Sequence, residues 1–60
     1  HHPWVGHKIK ELDISRHTLI VMIRRGDNAI VPNGDTLIKT GDIVFVFSKR
    51  YMADAQTISV

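Results

Sequence analysis

The sequence predicts an α+β fold, in which a small β-meander or hairpin sheet carries a short N-terminal helix and a weak C-terminal helix and forms a symmetric dimer. Two apolar runs, residues 19–23 and 43–47, have the length and composition of strands. Three Gly-Asp pairs, at residues 26–27, 34–35 and 41–42, supply turn chemistry between short extended segments. A 60-residue chain without cysteine lacks disulfides, so a partner subunit is the expected source of additional stability.

The elements follow from the spacing of apolar residues. Val5, Ile9 and Leu12 recur at i, i+4 and i+7, which predicts a short helix over residues 6–12. Predicted strands cover residues 18–24, 29–31 and 43–47, and residues 36–38 are a short extended segment. A weak C-terminal helix is predicted from residue 51, because Tyr51, Ala55 and Ile58 would lie on one helical face.

The run at residues 18–24 is apolar without alternation, which is typical of a strand buried on both faces. One short helix cannot cover both faces of such strands, so we expect a second copy of the chain to supply the cover. The predicted organisation is a tag remnant or disordered start at residues 1–3, one domain at 4–50 and a C-terminal tail or short helix at 51–60.

Composition argues against several functional classes. The apolar runs are too short to span a bilayer, and no signal peptide is predicted. The eight Lys and Arg are interspersed with six acids, so no nucleic-acid partner is predicted. Asp35 and Asp42 follow glycines in predicted turns, so we predict no catalytic residues and no enzyme. Two of the four His lie in the expected tag remnant, and we predict neither a metal site nor a cofactor.

The order of the motifs resembles the TrkA-C domain, also called the C-terminal domain of RCK proteins. The matching pieces are the strand that leads into Ile-Arg-Arg-Gly at residues 23–26, Ile-Val-Pro at 30–32, Gly-Asp-Thr-Leu at 34–37 and the Gly-Asp at 41–42 that precedes the last apolar strand. The stretch at residues 5–12 is similar to the opening glycine and short helix of the family. Family domains usually begin with one further strand before that glycine.

The resemblance implies a cytosolic, dimeric α+β domain that regulates membrane transport. Family domains are attached to potassium channels and uptake systems, to ClC-type chloride channels and exchangers, and to cation–proton antiporters. The implied partners are therefore a second copy of the chain, a membrane-embedded channel or transporter portion, and a small nucleotide ligand. The implied localisation is the cytoplasmic face of the membrane.

The resemblance also indicates ligand-binding residues. In some members cyclic di-AMP binds where two copies meet, and the corresponding positions here are Arg24, Arg25, Asn28 and the apolar-apolar-Pro segment Ile30, Val31 and Pro32. A guanidinium pairs a phosphate bidentately or stacks on a purine, and Arg24 lies nearest the ligand-contacting arginine of the family. Where cyclic di-AMP binders tend to carry a polar residue near the proline, this chain has Ile30.

Each of these residues also has a purely structural interpretation. The two arginines can be a solvated hairpin end that protects strand edges, and the Ile-Val-Pro segment can be an edge strand packed on the second copy. The alternative function is therefore a structural dimerisation module without a ligand, and a small nucleic-acid-binding domain is the third hypothesis.

Overall fold

The computed structural model describes residues 2–49 and 55–60, which form one four-stranded antiparallel sheet. The strands are β1 (Thr18–Arg25), β2 (Asn28–Ile30), β3 (Ile43–Ser48) and β4 (Ala55–Ser59), and their order across the sheet is β2-β1-β3-β4. In the described part of the chain the sole helix is a 3₁₀ turn at Ile9–Glu11. The predicted sheet is therefore present, whereas the α+β class is not confirmed, because helix is almost absent.

A two-residue turn joins β1 and β2 and sets their register. Gly26 is the first central residue and has φ of +61°, which is the position and sign required by a type II′ turn. Such turns match the right-handed twist of the flanking strands. The resulting pairs are Arg25 with Asn28, Arg24 with Ala29 and Ile23 with Ile30.

Strand β1 is buried on one face within this chain, not on both as its composition predicted. The pairing with β3 shifts register between Ile20 and Met22, so Val21 forms a bulge. On either side of the bulge, Ile20 and Ile23 lie on the core face of the sheet. Leu19 lies on the opposite face and is 48% exposed.

The C-terminal residues form a strand, so the predicted helix is wrong for residues 55–59. Ala55–Ser59 pairs with β3 from Phe47 to Ile43 in an antiparallel register. Ile58 contributes to the core from this strand. Tyr51, the first residue of the predicted helical face, lies outside the described residues.

The N-terminal helix is shorter than the predicted range of residues 6–12, because its backbone bonds to another segment. The amide groups of Gly6, Ile9 and Lys10 donate to the carbonyl oxygens of Ile38, Thr36 and Gly34 at 2.9–3.0 Å. The predicted extended segment at residues 36–38 is thus paired with the N-terminal segment, through a single bridge between Lys8 and Leu37 rather than as a strand. Together the two segments form a layer over the core face.

The core lies between this layer and the sheet. Ile23, Ile38 and Val44 are fully buried and Val46 is nearly so. Trp4, Ile9, Leu12 and residues from β1, β2 and β4 pack around them. A core built from so few fully buried side chains is consistent with the marginal stability expected of a 60-residue domain.

The second face of the sheet carries apolar side chains that no described helix or strand covers. Alternation along β1 and β3 places five of them there, and we call this set the open face: Leu19, Met22, Ile43, Phe45 and Phe47. None of the five packs against the core cluster. Arg24 pairs with Ile43 and lies at one end of the open face.

Candidate functional site

The adjacent arginines at the end of β1 project to opposite faces of the sheet, because side chains alternate along a strand. Arg24 lies on the side of the open face, and Arg25 lies on the core side. The same alternation in β2 places Asn28 on the side of Arg25, its cross-strand partner. The two arginines therefore have different surroundings, although both were predicted to bind the same ligand.

Arg25 forms a bidentate ion pair with a buried carboxylate. Its Nε and Nη2 donate to Oδ1 and Oδ2 of Asp42 at 2.9 and 2.8 Å, and Nη2 also donates to the carbonyl oxygen of Leu37 at 2.9 Å. The side chain of Asp42 is 1% exposed, while that of Arg25 is 33% exposed. Three of the five guanidinium N–H groups are thus engaged within the chain, which leaves those on Nη1 for other partners.

The pair shifts the ionisation of both groups. Hydrogen bonds from the Arg25 guanidinium hold the pKa of Asp42 below its usual range, against the opposing effect of burial. The backbone amide of Lys39, which donates to Oδ2 at 3.0 Å, lowers the pKa of Asp42 further. The hydrogen bonds to Asp42 in turn raise the pKa of Arg25. The carboxylate is therefore charged at neutral pH, and it fixes the 37–42 loop to the end of β1.

Arg24 presents its guanidinium to solvent. Its Nε donates to the carbonyl oxygen of Gly26 at 3.2 Å, which holds the side chain along the hairpin turn. Among the described residues no carboxylate forms an ion pair with it. Of the two predicted arginines, Arg24 is the one with more N–H groups available to an anion.

The apolar-apolar-Pro segment is divided among three environments. Ile30 is half-buried and packs against the core, whereas Val31 is 87% exposed. Pro32 lines a cavity of about 250 Å³ together with Leu19, Thr18 and Asn33. The cavity is at the smaller end of ligand pockets and is walled mainly by apolar side chains.

The predicted site residues thus form two groups at opposite ends of the β1–β2 hairpin. Arg24, Arg25 and Asn28 lie at the turn, and Pro32 lies beyond the other end of β2, close to the start of β1. Leu19 borders the Pro32 cavity, but Ile9 and Ile20 also line it and pack against the core, so the cavity lies on the core side of the sheet and not on the open face.

Sequence reasoning missed the partner of Arg25 and the polar residues of the cavity. Asp42 is 17 positions from Arg25, and no local spacing indicates such a pair. From the sequence, Thr18 is only the start of a predicted strand, and Asn33 only precedes the Gly-Asp turn at residues 34–35. Asn33 does serve the turn, because its Oδ1 accepts from the amide of Asp35 at 2.8 Å, and it also faces the cavity.

Neither a metal-binding cluster nor a membrane-spanning helix is found among the described residues. Across residues 2–49 and 55–60, no three His, Asp or Glu side chains lie close enough together to hold a metal ion. No helix in this part of the chain is long and apolar enough to cross a membrane.

Comparison with known proteins identifies the family. The family model of the TrkA-C domain matches residues 1–55, which is nearly the whole chain. No solved structure matches the chain. TrkA-C domains are generally regulatory domains of ion-transport proteins. The matched region contains the hairpin, the Arg25–Asp42 pair and β3, and the chain belongs to the TrkA-C domain family.

Proposed function

We propose that this chain is a cytoplasmic, non-enzymatic regulatory domain of a membrane channel or transporter for potassium, chloride, or cations and protons. It acts as a symmetric homodimer that holds a small nucleotide where two copies meet. Membership of the TrkA-C family supports the regulatory role. The observation that supports the dimer is the open face. No described helix or strand covers its five apolar side chains. Leu19 is 48% exposed and the other four are half-buried, and contiguous apolar surface that a soluble protein leaves accessible marks an interaction site.

A second copy is a suitable cover for the open face because the face is apolar and contains no carboxylate. The charged residue next to it is Arg24, which lies at one end beside Ile43. In a two-fold arrangement the same patch is used by both copies, so apolar side chains meet at the centre and the guanidinium groups remain at the rim. A rim arginine retains access to a ligand at the seam.

The proposed ligand is an anionic dinucleotide such as cyclic di-AMP. Arg24 supplies N–H donors for a phosphate, and the neighbouring open face supplies apolar surface for a base. If the ligand binds one dimer arrangement more tightly than another, it shifts the population toward that arrangement. Couplings of this type amount to about 1–3 kcal/mol, which biases a gate roughly 5- to 150-fold.

Isothermal titration calorimetry with cyclic di-AMP tests the ligand. We expect heat of binding with one ligand for two chains, and we expect Arg24→Ala to abolish it because the phosphate loses its donor. Arg16→Ala is the matched control, since Arg16 is also an exposed arginine but precedes β1. Binding that survives Arg24→Ala, or that is lost equally in the control, would contradict the proposed site.

The second candidate function is a structural dimerisation module that binds no ligand. Two observations favour it: Arg25 is occupied by Asp42, and the Pro32 cavity is small for a nucleotide. In that case the open face still joins two copies and holds transporter subunits in register. Absence of heat with cyclic di-AMP and a panel of other nucleotides, together with an intact dimer, would select this function.

A further inference from the structure

The outer edge of β4 differs from the outer edge of β2. Strand β2 is three residues long and is followed at once by Val31 and Pro32, and a proline cannot donate to a further ladder. Strand β4 has five residues, Ala-Gln-Thr-Ile-Ser, with no charge, proline or glycine. Proteins normally protect exposed edges with charged residues or proline, so β4 has the composition of a strand that receives a partner.

The hydrogen bonds of Val60 show which groups of β4 point to this edge. The amide of Val60 donates to the carbonyl oxygen of Asp42 at 2.9 Å, and its own carbonyl oxygen accepts from the amide of Gly41 at 3.2 Å. Both backbone groups of Val60 therefore point toward the end of β3. Because the direction alternates along an antiparallel strand, the backbone groups of Ile58 and Gln56 also point to β3. Those of Ala55, Thr57 and Ser59 point to the outer edge, which no strand of residues 2–49 and 55–60 covers.

We propose that the β4 edge pairs with β4 of a second copy, antiparallel about a two-fold axis at Thr57. This register pairs all five residues: Thr57 with its own counterpart, Gln56 with Ile58, and Ala55 with Ser59. The three outward residues of each chain then exchange six backbone hydrogen bonds, two for each pair. The side chains at the edge are small or uncharged, so they cause no repulsion, and a Thr–Thr pair is favourable across strands.

Edge pairing and the proposed face-to-face dimer use different surfaces and do not exclude each other. Edge pairing acts in the plane of the sheet, whereas the open face points along its normal. Thr57 pairs with Phe45 and shares its face, and an axis through Thr57 perpendicular to the sheet leaves the open faces of both copies on one side. Two copies paired at β4 form one eight-stranded sheet. Two such sheets can pack through their open faces, which gives a closed tetramer of four copies.

Single cysteines test the register directly, because the sequence contains none. In a hydrogen-bonded antiparallel pair the Cα atoms are about 5.5 Å apart, which lies within the roughly 4.4–6.8 Å span of a disulfide. We therefore expect Thr57→Cys to give a covalent dimer under mild oxidation. The Ser59 residues of the two copies are offset by four positions, about 13 Å, so Ser59→Cys alone does not crosslink.

A mixture supplies the control for reactivity and folding. Neither Ala55→Cys nor Ser59→Cys crosslinks alone, but mixing the two gives a covalent heterodimer, because residue 55 of one copy faces residue 59 of the other. The Thr57→Cys crosslink also persists when Leu19→Lys disrupts the open face, which separates this inference from the proposed face-to-face dimer. Loss of that crosslink with Leu19→Lys, its absence in the otherwise native chain, or equal crosslinking by Ser59→Cys alone would each overturn the proposal.

Discussion

Arg25→Met is expected to remove a large part of the stability of the fold. The substitution keeps the aliphatic stem but removes the guanidinium, so the carboxylate of Asp42, 1% exposed, loses its charged partner. Breaking a buried ion pair from one side typically costs about 3–5 kcal/mol. At roughly 0.05–0.15 kcal/mol per residue, a 60-residue domain has a total stability of the same order. Urea denaturation followed by circular dichroism at fixed protein concentration measures the loss.

The neighbouring arginine is the matched control. Arg24→Met changes an exposed side chain on the other face of the same strand, and we expect a stability change within about 0.5 kcal/mol. Arg25→Lys should lie between the two, because an ammonium keeps the charge but cannot form the bidentate pair. A denaturation midpoint for Arg25→Met equal to that of the native chain would show that the pair does not stabilise the fold.

The stability of the native chain is expected to fall in acid through the titration of Asp42. Its pKa is lower in the folded chain than the value of about 3.9 expected when unfolded, so below that value the unfolded chain binds more protons. The contribution of the pair is therefore fully present above about pH 5 and is lost as the pH falls through the folded pKa. Thermal or urea unfolding measured from pH 7 to pH 2 follows this loss.

Asp42→Asn isolates this effect from the other carboxylates. The amide cannot ionise, so the difference in free energy of unfolding between the native chain and the variant should be largest near neutral pH and should shrink below about pH 4. Asp27→Asn, an exposed turn residue in the same hairpin, serves as the control. A difference that stays constant down to pH 2 would mean that the charge of Asp42 contributes nothing to the stability of the fold.

The central strands and their turns could be predicted from sequence because their signals are local. The predicted ranges 18–24 and 43–47 agree with β1 and β3 to within one residue at each end, and the Gly-Asp pair at 26–27 forms the predicted turn. The burial of β1 on one face only could not be predicted from the sequence, because Leu, Ile, Val and Met make both faces of the strand similarly apolar. The bulge at Val21, which sets the alternation, depends on pairing with β3.

The errors at the two ends have a common cause, which is hydrogen bonding to distant segments. Residues 55–58 have a helical apolar spacing, but pairing with β3 determines their conformation, and such tertiary context overrides weak propensity. At the N-terminus, amides that would serve a longer helix donate instead to carbonyl oxygens at residues 34–38. Neither partner segment can be identified from the local sequence alone.

The sequence names a set of candidate binding residues but does not indicate how they are arranged. The resemblance to TrkA-C domains indicated Arg24, Arg25, Asn28 and the Ile30–Pro32 region, and the family assignment is confirmed. The structure separates these residues by face: Arg25 lies on the core side with Asp42, while Arg24 lies beside the open face. Whether these residues bind a ligand stays a prediction, which the Arg24→Ala titration tests.

Sedimentation equilibrium over a range of protein concentrations tests the central claim, that a second copy covers the open face. We predict that the smallest species at high concentration is a dimer. We also predict that Leu19→Lys lowers the average molecular mass in solution. Leu37→Lys is the control and should leave that mass unchanged, because Leu37 is similarly exposed, at 41%, but lies in the layer over the core face. A native chain that stays folded and monomeric at the highest concentration, or a mass unchanged by Leu19→Lys, would contradict the account.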